Sequence, residues 1–194
     1  MPLIIPANTL LPSGYNVANS CRFDGSSSSL NLAPGAGGSL TNATYSFWLK
    51  KCKNGAYLEI FHHVAVNSNS NFRILFASND KLYIINEDNT SDTVQIFTNR
   101  LFRDVSAWYH IVIAIDTTDG TAGDRVKIYV NGVRETSFAT ENTPDEDEEL
   151  QINGGANTMN WIGQRGVADD NYYNGYMAEV VYINGTTYAA SDFG

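Results

Sequence analysis

The run Asp145-Glu146-Asp147-Glu148-Glu149 is the densest set of potential acids and bases in this sequence of 194 residues. Glycoside cleavage would use two carboxyl groups at a fixed separation, one to protonate the leaving oxygen and one to act as nucleophile or base. The run follows Pro144 in a stretch that reads as a loop, where charge runs are usually solvated, so the chain is expected to be non-enzymatic. Other aspartates suit a hard cation better. Asp116, Asp119 and Asp124 surround one Gly-bearing loop, and Asp169 and Asp170 precede Tyr172 in another. Calcium takes such oxygens, and the first three are the candidate ligands; loop aspartates also make turns by themselves, and EF-hand spacing is absent.

His62 and His63 are adjacent, so on a strand they point to opposite faces and cannot share an ion. His110 has no ligand partner nearby in sequence. The segment Ala168 to Tyr176, ADDNYYNGY, places Asp169, Asp170, Tyr172, Tyr173 and Tyr176 in a Gly- and Asp-rich stretch. Exposed aromatics bind sugars by stacking and proteins by rigid contact, which makes these five the candidate ligand-binding residues. The competing use of the rings is to cover the end of a core.

The elements that would hold these groups are strands. Trp108 to Ile115 is strand-prone and apolar on both alternating faces apart from His110, the pattern of a strand in the middle of a sheet. Arg125 to Val130 then alternates with period two up to Asn131-Gly132, a strong hairpin signal. A two-residue loop would set Glu135 opposite Ile128 in an apolar row. A bulge at Gly132 would instead pair Lys127 with Glu135 and put Phe138 on the face of Val126 and Ile128, and this register is the expected one. Further strands are expected at Cys21 to Phe23, Ser29 to Leu32, Tyr45 to Lys50, Ala56 to Val66, Phe72 to Ala77, Lys81 to Asn86, Thr93 to Thr98, Leu150 to Ile152, Asn160 to Gly163 and Tyr176 to Ile183. Turn-forming Asn, Asp, Ser and Gly separate them at the spacing of an antiparallel sandwich. Leu101 to Ser106 reads as a helical turn or tight loop.

A net charge of −9, with twelve scattered Lys and Arg residues, argues against a nucleic-acid grip, which needs clustered cations. Met1 to Ser13 has no basic n-region and no apolar run of signal-peptide length, and no window reaches the ~18 apolar residues of a membrane span. Cys21 and Cys52 are the only cysteines, and without a secretory signal they read as buried free thiols. Residues 1–20 contain Pro2, Pro6 and Pro12 together with Leu3, Ile4, Ile5, Leu10 and Leu11, a composition unsuited to a helix and too apolar for a free tail. This arm is expected to be buried, either along its own sandwich or, the favoured alternative, in a partner subunit.

The runs WYHIVIAIDTT and DRVKIYVNGVRETSF, the opening SCRFDGSSSSLNL, the segment TYSFWLKK and the ending NWIGQRGVADDNYYNGYMAEVVYINGTTYAASDFG resemble a laminin-G-like, concanavalin A-like lectin/glucanase jelly roll. More narrowly, they are similar to the form found in structural proteins of marine bacteriophages, from which Ser26 to Ser29 departs. The resemblance implies an all-β sandwich of two antiparallel sheets over residues 21–194, with residues 1–20 as an extended arm. It also implies a non-enzymatic virion component (a decoration, head-fibre or tail-associated protein), which without a signal peptide would be made in the host cytoplasm. Its partners would be other virion proteins, copies of itself or host-surface glycans. A glucanase of this superfamily would place two glutamates flanking an aspartate on one strand, which the acidic run does not do. The alternative is a freestanding carbohydrate-binding or carbohydrate-cleaving module.

Overall fold

The alternating runs resolve into two antiparallel sheets packed face to face. The computed structural model describes residues 19–35, 37–65, 70–89, 91–153, 158–166 and 170–193. Among them the strands are β1 (Cys21–Asp24), β2 (Leu30–Leu32), β3 (Asn42–Lys51), β4 (Leu58–Ala65), β5 (Asn71–Phe76), β6 (Leu82–Asp88), β7 (Ser91–Thr98), β8 (Tyr109–Asp116), β9 (Val126–Val130), β10 (Val133–Arg134), β11 (Phe138–Asn142), β12 (Thr158–Ile162) and β13 (Asn174–Asn184). One sheet has six strands in the order β1-β13-β3-β8-β9-β10, and the other has seven in the order β11-β7-β6-β5-β4-β12-β2. This is the expected all-β antiparallel sandwich. The Asp192-Phe193 end of the chain forms a short 3-10 turn.

The pleat decides which side chains meet between the sheets. Tyr45, Phe47 and Leu49 of β3 and Ile111, Ile113 and Ile115 of β8 face Phe72, Ile74 and Phe76 of β5 and Ile84 of β6, all fully buried. Each such side chain removed from water contributes about 1.5–3 kcal/mol. The central strand is apolar on its other face as well, as its sequence foretells: Val112 and Ala114 are also buried. The closing segment lies over this side, where Thr44 donates its hydroxyl to the Thr186 carbonyl at 2.9 Å and accepts the Tyr188 N–H at 2.9 Å.

Several expectations change. Asn131 (φ 51°) and Gly132 (φ 76°) form a two-residue loop with both residues left-handed, and Val133 pairs with Val130, so Gly132 is not a bulge. The register is therefore the one that turns Glu135 toward the apolar row, where its N–H bonds Ile128 O. The carboxylate is tolerated because Arg100 reaches it at 2.6 Å, turning a buried charge into an ion pair. Phe138 does not share the face of Val126 and Ile128, because it opens β11 and pairs with β7 in the other sheet. Leu150 to Ile152 is not a strand; Leu150 and Ile152 are fully buried on a turn, with Leu150 N–H bonded to Leu40 O. Cys21 and Cys52 are unpaired and, contrary to the expectation of buried thiols, both are exposed.

A charge inside one end of the sandwich ties four segments together. Lys51, the last residue of β3, is fully buried and donates to Asp80 Oδ1 at 2.9 Å and to Phe102 O at 3.0 Å, with its ammonium 4.8 Å from the centre of the Phe76 ring. Asp80 also accepts Gly55 N–H at 2.9 Å and Arg103 Nε at 3.3 Å. Burial pushes the Lys51 ammonium down from its ordinary value, with Asp80 opposing. Burial would raise Asp80, but the Gly55 N–H and the Lys51 ammonium outweigh it and hold the carboxyl below the usual range. Its stabilising contribution is therefore present above the unfolded carboxylate range and is lost as pH falls through the lowered folded value. Replacing Asp80 with Ala leaves Lys51 buried and unpaired, which is expected to cost about 3–5 kcal/mol in urea unfolding. A loss below about 1 kcal/mol, the scale of an exposed pair, would show that the pair is not a buried one.

Candidate functional site

The expected calcium ligands are each engaged locally. Asp116 Oδ1 accepts the Thr118 N–H at 3.1 Å and its hydroxyl at 2.6 Å; Asp119 Oδ1 accepts the Thr121 N–H at 2.9 Å; Asp124 pairs with Arg134. These are the turn-making uses of loop aspartates. Among the described residues no three His, Cys, Asp or Glu side chains are gathered to hold a metal. The acidic run is exposed apart from half-buried Glu148, and it is pinned at its start by Arg125, which donates to Pro144 O at 2.9 Å.

The expected ligand-binding stretch is split three ways. Asp169 lies outside the described residues, as do Leu3, Ile4, Ile5, Leu10 and Leu11 of the arm. Asp170 is exposed, with its carbonyl accepting Arg165 N–H, and Tyr172 is half-buried. Tyr173 is fully buried and edge-on to Phe23 at 6.0 Å, so its ring belongs to the core and is not presented to a ligand. Tyr176 stands on the outer face of the six-stranded sheet, with Arg22 5.3 Å above its ring and Trp108 at 6.4 Å. Residues three apart at the start of a strand point to opposite sides, so Tyr173 and Tyr176 cannot form one platform.

The segment that carries Asp170 instead folds against the outer face of the seven-stranded sheet. Glu59 N–H bonds Asn171 O at 2.8 Å, and the Gly166 N–H reaches His62 Nδ1 at 2.9 Å. A Cβ on Gly166 would fall 2.0 Å from the Trp161 indole nitrogen, so only glycine lets the loop lie this close. Beneath the loop, Glu59 takes a two-pronged bond from Arg73, Nε to Oε1 at 3.0 Å and Nη2 to Oε2 at 2.7 Å. Burial pushes the Glu59 carboxyl up and Arg73 opposes it, while Glu59 holds the Arg73 guanidinium above its ordinary value against burial. The two-pronged geometry is that of an ionised pair.

Strand register carries this face outward from the pair. Glu59, Leu75, Tyr83 and Phe97 lie in one row across β4, β5, β6 and β7, and Trp161, His62, Arg73, Ile85 and Gln95 lie in the next. Tyr83 and Phe97 stack with centroids 3.8 Å apart. Half-exposed aromatic rings, a fixed guanidinium and amide groups on a stiff sheet can stack on a pyranose and bond its hydroxyls. The alternation of LYIINED already sends Tyr83, Ile85 and Glu87 to one face; that they lie alongside Arg73, Phe97 and Trp161 depends on pairing over long sequence separations.

On the inner face of the same strand, His63 bonds Asn160 Oδ1 through Nδ1 at 2.7 Å, so its Nε2 accepts the Tyr45 hydroxyl at 2.9 Å. Burial lowers His63 to about 4 and His62 to about 3, the latter with help from Arg73 and Arg165.

Residues 24–191 match a family model described as the concanavalin A-like lectin/glucanases superfamily. No curated protein matches the sequence. Similar solved structures include a native heptameric SAP-like pentraxin from Limulus polyphemus, at 16% identity over 84% of this chain and 74% of that one, with a TM-score of 0.57. The CBM40 of a Ruminococcus gnavus IT-sialidase bound to α2,3-sialyllactose has 10% identity over 91% and 97%, with a TM-score of 0.56. Domain 4 of the Geobacillus stearothermophilus arabinanase AbnA in complex with arabinotriose has 16% identity over 91% and 87%, with a TM-score of 0.53. At these identities the likeness is one of fold.

The two depressed histidines predict an acid-sensitive fold. Below pH ~6.5 the unfolded chain takes up protons that the folded chain refuses until pH falls through its lower values, so stability is full above that point and declines toward pH 4. At pH 5 His63 alone is expected to remove about 2 kcal/mol. Urea midpoints measured from pH 7 to 4.5 should fall steadily, and less steeply for His63→Gln; a flat profile would contradict the buried neutral rings.

Proposed function

The chain belongs to the concanavalin A-like lectin/glucanases superfamily, and we propose that it binds glycans on the outer face of its seven-stranded sheet without cleaving them. The observation that carries this reading is the face itself. Tyr83 and Phe97 are stacked and half-exposed toward one side of it and Trp161 is half-exposed toward the other, with Arg73, fixed in place by Glu59, on a strand between them. Preorganised polar groups and rigid rings reduce the ordering cost of holding a sugar. The fold shared with modules solved bound to sialyllactose and arabinotriose supports the same reading.

The non-catalytic part rests on Glu59. Cleavage needs one carboxyl free to protonate a leaving group and a second free to attack or to activate water. Both oxygens of Glu59 are engaged by Arg73 and its side chain is fully buried, while Glu87 on the same face accepts an Asn71 Nδ2–H at 3.0 Å. A place in a phage particle, expected from the sequence resemblance, has no support among the comparisons, which favour glycan binding.

On an array of neutral and acidic glycans the protein is expected to bind a defined subset, and Trp161→Ala is expected to weaken that binding by roughly tenfold, the value of one lost aromatic contact of about 1–1.5 kcal/mol. An array with no binding, or a Trp161→Ala variant that binds as well as the parent, would overturn the placement. Reducing-sugar release from the bound glycans should stay at the blank. Release abolished by Glu59→Gln would make the domain an enzyme.

A further inference from the structure

A cleft runs along one side of the sandwich, between the edge strands β1 and β2 and their neighbours β13 and β12. One part, of about 240 Å³, is walled by Cys21, Phe23, Leu30, Ile162, Met177 and Val180. The adjoining part, of about 290 Å³, is walled by Leu30, Leu32, Phe61, Ile162 and Tyr182 over His63 and Asn160. Leu30 and Leu32 are 55% and 67% exposed although they face inward, opposite Ile162 and Asn160. Two leucines on an inward face that nothing described covers leave apolar surface in water that burial would remove. Beside them, β1 and β2 are the last strands of their sheets, so each presents an unpaired outer edge.

We propose that this cleft is the seat of the chain's own residues 1–18. These residues lie outside the described ones, and the described chain begins at Asn19, which together with Ser20 lines the cleft mouth. The segment therefore enters at this place. It carries Leu3, Ile4, Ile5, Leu10 and Leu11, and extended it could reach ~60 Å, far beyond the length of the cleft. Pro2, Pro6 and Pro12 give it the chemistry of a segment beside a sheet edge, where missing N–H groups cost little. A sugar suits the cleft poorly: its walls are mostly apolar, and His63 and Asn160 at the base are already bonded to each other. The seat is on the opposite flank of β12 from Trp161 and does not depend on the glycan-binding reading.

Cys21 reports on the cleft. It lies two residues before buried Phe23 on β1 and so points to the same side, into the cleft, whereas Cys52 is exposed and not among the cleft-lining residues. In single-thiol proteins carrying Cys52→Ser or Cys21→Ser, the reaction with Ellman's reagent is followed with and without residues 2–12. Removing the segment is expected to speed Cys21 by roughly tenfold and leave Cys52 unchanged, the parent's protection being independent of protein concentration. Equal Cys21 rates would overturn the proposal. So would protection that disappears on dilution, which would make a second copy the occupant. Should the deletion fail to fold, the full-length Ile4→Ser, Ile5→Ser, Leu10→Ser variant is read by the same reaction and against the same outcomes.

Discussion

One extra residue in β4 sets the chemistry of both faces of the seven-stranded sheet. Between Glu59 and Phe61 the strand advances two residues while β5 advances one, from Leu75 to Ile74. Such a bulge reverses the in-and-out phase of everything after it. Glu59 and His62 consequently both face outward, where Arg73 and the Gly166 loop meet them, and Phe61 and His63 both face the core. Without the bulge His62 would enter the core and His63 would leave it. The inner Tyr45-His63-Asn160 chain and the outer Glu59-Arg73 pair both depend on that phase change.

Three buried charges are held in place by partners from distant segments. Lys51 meets Asp80, Glu135 meets Arg100 and Glu59 meets Arg73, across 29, 35 and 14 residues of sequence. A buried charge without its partner would cost several kcal/mol, so each pair constrains how its two segments can be arranged. The same requirement makes the outer face a rigid surface. Arg73 cannot swing away without stranding Glu59.

The jelly-roll fold accommodates catalysis, adhesion and assembly alike, so the reading of function rests on the face and not on the fold. The aromatic residues that looked most like a ligand platform in the sequence are dispersed by the chain's path: Tyr173 to the core, Tyr176 to the other sheet. The rings that the structure does bring together, Tyr83 and Phe97, come from neighbouring strands, and Trp161 shares their face of the sheet from β12.

Local sequence determined most of the strands. Period-two alternation in TYSFWLKK, in VKIYV and in LYIINED follows from the pleat alone, and the double-faced apolar run around Ile111 to Ile115 marks a central strand whatever its neighbours. Asn131-Gly132 likewise announced its hairpin. Tertiary structure decided what local pattern could not. Glu135 could enter an apolar row only because Arg100 waits there, a partner 35 residues away that no local pattern shows. The β4 bulge leaves no mark in LEIFHHVA, since Ile60 and Phe61 are both apolar and either could take the inward place. Leu150 and Ile152 looked like a strand because they are apolar and alternate, yet they plug the core from a turn, which burial alone permits. Alternation is a property of a strand by itself, whereas register, phase and the partners of buried charges are properties of pairs of segments, settled only when the two sheets close on each other.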